Sequence, residues 1–301
     1  MRDAAALHGG AESLAAPLPP LLVEARRLAA TVILGEHGRR QPGHGTEFWQ
    51  YRPALPGDPA RAIDWRRSAR GDAAFVQDRE WQAAQTLLVW ADRSAAMRFA
   101  SSPALPAKGG RAALIALALA VLALRGGERV GILPALHPPR RGTAHLAQMA
   151  ADLSVPDPAD FGTPDAAGLP LRGRAVFLSD FLGDLGPLRD ALALAAGREV
   201  RGAILQVLDP AEEAFPFAGR TVFESMAGAL RHETLDAGAL RARYRDRLAA
   251  RKDEVARLAH EAGWQVSTHH TDTPAAGALL WLRGALAQRH GPGHHPGHGP
   301  A

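Results

Sequence analysis

The feature that most constrains this chain is an alternation that starts near residue 86 and runs through the rest of its apolar sequence. Short apolar runs at residues 86–91, 129–133 and 175–178 are separated by stretches with helical character at 109–124 and 144–153. Runs this short, apolar throughout, predict strands buried on both faces, and the stretches between them are long enough to be crossover helices. The pattern continues as helix 185–196, strand 202–208, helix 237–262, strand 264–269 and helix 275–289. Residues 220–224 and 230–234 predict short antiparallel additions near one sheet edge. The expected fold is α/β, a doubly wound, mostly parallel, Rossmann-like sheet.

Around that core the chain divides readily. Residues 1–20 mix Arg2, Asp3, His8 and Glu12 with alanines and predict a flexible leader, with neither the basic start nor the apolar run of a secretory signal. Residues 21–34 carry apolar side chains at helical spacing, with Arg26 and Arg27 on the other face, and Gly35 is expected to end that helix. Residues 36–77 are rich in Gly, Pro and Arg, yet hold Phe48, Trp49, Tyr51, Ile63 and Trp65. Aromatic groups are costly to leave in water, so this loop-rich segment is expected to pack on the sheet domain, with Arg61 and Asp64 as a candidate pair. The expected organisation is therefore leader 1–20, helix and loop-rich segment 21–80, sheet domain 81–289, and a disordered His, Gly and Pro tail 290–301.

Composition narrows the function classes. With no cysteine, the chain has no disulfide, thiolate ligand or cysteine nucleophile, which fits a reducing cytoplasm. A net charge of +4, from 35 basic against 31 acidic residues, implies no general nucleic-acid field. The longest apolar run, residues 112–124, lies between Arg111 and Arg125 and is shorter than the roughly 20 residues of a membrane span, so it predicts a buried core helix and no direct membrane insertion.

In a parallel α/β sheet, ligands sit beyond the carboxyl ends of the strands. The first strand runs into Asp92, Arg93, Ser94, Ala95 and Ala96, and the third into Ser179, Asp180 and Phe181, which puts Asp92 and Asp180 at one edge. Thr143, expected to cap the helix after the second strand, offers a third loop. Asp92, Ser94, Thr143 and Asp180 are hard oxygen donors suited to Mg2+ or Mn2+.

This constellation resembles the metal-ion-dependent adhesion site of von Willebrand factor A domains, with Ala96 standing where the second serine of Asp-x-Ser-x-Ser belongs. Weak Mg2+ binding is expected, tightened by Ala96→Ser. The upstream residues Glu47, Phe48, Arg52, Pro56, Gly57, Asp58, Arg61, Ile63, Asp64, Trp65, Ser68, Ala69 and Arg70 resemble the signature of the domain of unknown function 58 family. So do Ser179 to Phe181, Gln206 to Glu212 with Pro216 and Phe217, and Thr271 to Pro274. The likeness covers roughly residues 35–290. It implies a von Willebrand factor A-like fold and a role as accessory factor of a MoxR-type AAA+ ATPase in protein assembly or remodelling.

Catalytic motifs are lacking: there is no phosphate-binding Gly-x-x-x-x-Gly-Lys-Ser/Thr run, no Gly-x-Ser-x-Gly elbow and no His-Glu-x-x-His. The expected function is a non-catalytic interaction module whose strand-end face binds an acidic residue of a partner, with or without a divalent ion. The competing expectation is a metal-dependent phosphoester hydrolase using Asp92 and Asp180.

Overall fold

A computed structural model describes residues 19–36, 50–54, 63–68, 74–78, 85–135, 137–228 and 230–287. The expected leader, apart from its last two residues, and the tail lie outside the described residues, as do Phe48, Trp49 and Arg61. Two compact units emerge, Glu36–Ala84 and the remainder of the chain. Among the described residues no helix is long and apolar enough to cross a membrane.

The first helix, α1 (Pro20–Glu36), runs through Gly35, so the glycine sits in its last turn and does not end it. Leu22, Ala25, Ala29 and Val32, spaced at three and four, are buried in the same apolar cluster as the sheet. This helix therefore belongs with the sheet domain and not with the segment that follows it.

In the smaller unit, β1 (Gln50–Pro53) and β2 (Phe75–Asp78) pair antiparallel, and the one-turn helix α2 (Trp65–Ser68) stands between them in sequence. Local polar contacts order it: the Asp64 N–H donates to Phe75 O at 2.9 Å and the Phe75 N–H to Ser68 Oγ at 2.9 Å. Trp65, expected to be buried, is 63% exposed. On a single turn a side chain need not face the contacts that hold the turn, and the Trp65 ring turns to solvent.

The larger unit runs β3 (Thr86–Ala91), α3 (Lys108–Arg125), β4 (Arg129–Ile132), α4 (Thr143–Ser154), β5 (Arg174–Ser179), α5 (Gly186–Gly197), β6 (Arg201–Leu208), α6 (Pro210–Ala214), β7 (Thr221–Glu224), β8 (Arg231–Thr234), α7 (Ala237–Glu261), β9 (Gln265–His270) and α8 (Ala275–Ala287). Its five-stranded sheet, ordered β4-β3-β5-β6-β9, is parallel throughout. Successive side chains alternate between two cores, as strand geometry requires. Leu87, Val89, Val176, Leu178, Leu205 and Val207 pack with α1, α3, α4 and α8, while Leu88, Trp90, Ala175, Phe177 and Ile204 pack with α5 and α7. Both faces are covered, which is the doubly wound arrangement.

The β7 and β8 hairpin is a sheet of its own and does not extend the main one. From β3 the chain steps to β4 on one side, then crosses to β5, β6 and β9 on the other. The crevice beyond the carboxyl ends of β3 and β5 is thus the topological switch point, where sheets of this kind hold ligands.

Candidate functional site

Asp92 and Asp180 do emerge at that switch point, from adjacent strands, but the two carboxyls have different surroundings. Asp92 extends the ladder, its N–H donating to Leu178 O at 2.9 Å. Its Oδ1 accepts the Ser94 N–H at 2.8 Å and its Oδ2 the Ser179 hydroxyl at 2.7 Å. The loop before β5 closes over it, for the Ala95 and Ala96 N–H groups donate to the carbonyls of Ala159 and Asp160 at 2.8 and 2.9 Å. Gly162 lies so near that a Cβ there would stand 2.2 Å from Asp92 Oδ1, so only glycine fits. Burial pushes the Asp92 carboxyl above its ordinary value, against the hydrogen bonds from Ser179 and Ser94, with Asp180 adding to the rise. The buried Ser94 hydroxyl, though within electrostatic reach of this carboxyl, has no hydrogen-bond partner among the described residues.

Asp180 accepts the Leu182 N–H on Oδ1 at 3.0 Å and turns Oδ2 to the Lys108 ammonium at 2.7 Å. Lys108, the first residue of α3, is 1% exposed, and its Nζ also lies 2.5 Å from Glu212 Oε1. Glu212 is held in turn by α6: its Oε2 accepts the Asp209 N–H at 2.9 Å, while Asp209 Oδ1 accepts the Ala211 N–H at 2.8 Å, a reciprocal cap of the helix start. Burial alone would depress the Lys108 ammonium, but the charges of Asp180 and Glu212 outweigh it and the net direction is up. Burial likewise lifts the Glu212 carboxyl, with Lys108 opposing. One ammonium between two carboxylates leaves an excess negative charge.

That ion-paired cluster faces a cavity of about 220 Å3. Its other wall is aromatic: Phe215 lies 5.2 Å from Phe217, 5.6 Å from Phe223 and 4.6 Å from Tyr244, centroid to centroid. Phe215 follows α6 in the left-handed region, at φ 47°, a conformation costly for a bulky residue and held here by its ring contacts. Burial, followed by the charges of Glu212, Asp180 and Glu213, pushes the Tyr244 hydroxyl up to about 12.

Thr143 is not brought to this site. After β4 the chain turns back, pairing Arg140 with Val130 antiparallel, and α4 then climbs alongside the strands. The carboxyl end of α4 meets Arg93, whose Nη1 donates to Asp152 O at 2.6 Å. Thr143, at the other end of this helix, is nine residues and so about 14 Å away along its axis. There it lines a different cavity with Leu124 and Arg125, at the far end of α3 from Lys108. Nor does it cap α4: Gly142 holds the cap position and makes no side-chain bond.

The expected four-donor set for Mg2+ or Mn2+ is therefore not assembled: Ser94, its hydroxyl unpartnered among the described residues, stands beside Asp92, but the other donors do not converge with it. Asp92 is enclosed, Asp180 is already paired with a cation, Thr143 lies at the opposite edge and Ala96 has no donor atom. Among the described residues no group of three or more His, Cys, Asp or Glu side chains is arranged to hold a metal. Sequence reasoning missed Lys108 and Glu212, yet a signal was present. Of 35 basic residues only two, Lys108 and Lys252, are lysines, and they pair with the adjacent Glu212 and Glu213.

A doubly wound α/β domain with an ion-paired cluster at its switch point is the class that the fold and site define. The chain belongs to the family described as protein of unknown function DUF58, whose model matches residues 50–254. It is 32% identical over 297 residues to uncharacterized proteins of Mycobacterium bovis (Mb1516) and Mycobacterium tuberculosis (Rv1480), covering 91% of this chain and 92% of each of those. Among solved structures it is similar to the conserved hypothetical protein BatB from Bacteroides thetaiotaomicron, with a TM-score of 0.42 and 13% identity, over 68% of this chain and 99% of that one.

Proposed function

We propose that this chain is a non-catalytic protein-interaction module of the cytoplasm, acting as an accessory factor of a MoxR-type AAA+ ATPase in protein assembly or remodelling. The observation that carries the non-catalytic part is the state of its two strand-end carboxylates. Asp92 is walled in by Ser94, Ser179 and Gly162, and Asp180 is committed to Lys108, so neither is free as nucleophile, general base or open metal ligand. What remains accessible is the aromatic cavity beside them, a shape that takes up a side chain. The likeness to MoxR-associated proteins seen in the sequence motivates the choice of partner, since the chain has no nucleotide-hydrolysing motif of its own.

Affinity purification of the full chain from its native cells, with quantitative mass spectrometry, tests this. Enrichment of a MoxR-type ATPase, lost on mutating the cavity wall by Phe223→Ala, is the expected result. Hydrolysis of p-nitrophenyl phosphate with Mg2+ or Mn2+ that disappears in Asp92→Ala would overturn it in favour of a phosphoesterase.

A further inference from the structure

Three properties of the strand-end cavity converge on one kind of occupant. First, its charged lining is lopsided: Asp160, Asp180, Glu212 and Glu224 against Lys108 alone, whose ammonium already bridges two of them. An incoming carboxylate would meet that excess negative charge at close range, whereas a cation would relieve it. Second, the uncharged wall is a cage of rings, Phe215, Phe217, Phe223 and Tyr244, whose faces attract cations. Third, about 220 Å3 falls below the roughly 300–1,000 Å3 of ordinary small-molecule sites and suits one long side chain. Guanidinium is planar, weakly hydrated and able to stack on rings while donating to carboxylates, which an ammonium does less well.

We propose that this cavity seats an arginine side chain of the partner protein, packed against its aromatic wall with its donors turned to Glu224 and Asp160. This rests on the interaction reading above and reverses the chemistry expected from the adhesion-site likeness, which calls for an acidic partner residue. The rim supports it: Met226 lines the cavity at 44% exposure. That thioether side chain can meet a residue flanking the arginine.

The experiment titrates the full chain with three blocked tripeptides, N-acetylated and C-amidated Ala-Arg-Ala, Ala-Leu-Ala and Ala-Glu-Ala, following the backbone amides of Phe223 and Leu182 by NMR. The arginine peptide should bind about tenfold more tightly than the leucine peptide at low salt, and the glutamate peptide should not bind. Glu224→Gln should weaken only the arginine peptide, by about threefold, and its exposed position keeps the fold intact. Equal or tighter binding of leucine would make this an apolar anchor site, tighter binding of glutamate would restore acid recognition through Lys108, and no response to any peptide would remove the side-chain site. Each of these overturns the proposal. ATPase capture with an arginine-blind cavity would leave the adaptor reading standing and sink this one alone, and the opposite pattern would do the reverse.

Discussion

Asp92 and Asp180 leave neighbouring parallel strands one residue apart in register, yet one is a sealed brace and the other half of an ion pair that looks into a cavity. Asp92 spends its oxygens on Ser94 and Ser179 beneath a glycine that leaves no room for a ligand. Asp180 keeps one oxygen for its own turn and gives the other to Lys108. The residue with the more recognisable motif is thus the less available one. What packs over a strand end decides its chemistry more than which residue stands there.

The sharpest way to break this contrast is Lys108→Met, which leaves Asp180 and Glu212 buried without their counter-charge. A loss of about 3–5 kcal/mol in denaturant melts at neutral pH is expected, as for any buried pair stripped of one partner. Glu212, already lifted by burial, takes up a proton more readily in the folded variant, so acid should partly restore its stability. A loss below about 1 kcal/mol would mean that the cluster is not held by the ammonium. Next comes Gly162→Ala, whose methyl collides with Asp92 Oδ1 and forces the loop outward at a cost of about 1–3 kcal/mol, readable in a thermal melt.

Asp92→Asn should cost only about 1 kcal/mol, because the amide oxygen can still accept the Ser94 N–H. Its pH dependence carries the sign. The folded Asp92 pKa lies above the unfolded one, so its stabilising contribution is full in acid and falls as pH rises through the folded value. Asparagine does not titrate, and the penalty of the substitution should therefore shrink on going from acid to neutral pH in urea melts. Smallest of all is Ala96→Ser, where calorimetry should find no tightening of Mg2+, since Lys108 already neutralises Asp180.

Much of the fold was legible because local pattern and buried environment agree. Residues 86–91 read as a strand from an unbroken apolar run and form β3, and α3 and α7 lie within a residue of their expected ends, since long periodic segments tolerate little ambiguity. Thr143 was misplaced because the return of Arg140 to Val130 is a pairing between distant backbone groups, which no spacing announces. Helix α6 is too short for periodicity, although Asp209 followed three residues on by Glu212 is a readable helix start. The rarity of lysine sets Lys108 apart in the sequence, but its partners Asp180 and Glu212, 72 and 104 residues away, are brought against it only by the fold.

A cation carried on a side chain differs from one borrowed from solution in how it can be controlled. Chelators cannot strip it, and swings in cellular magnesium cannot exchange it. The face built around Lys108 is assembled as soon as the chain folds, and the short helix α6 ties together the ammonium of α3 through Glu212 and, through Glu213, Lys252 of α7 and His270 of β9.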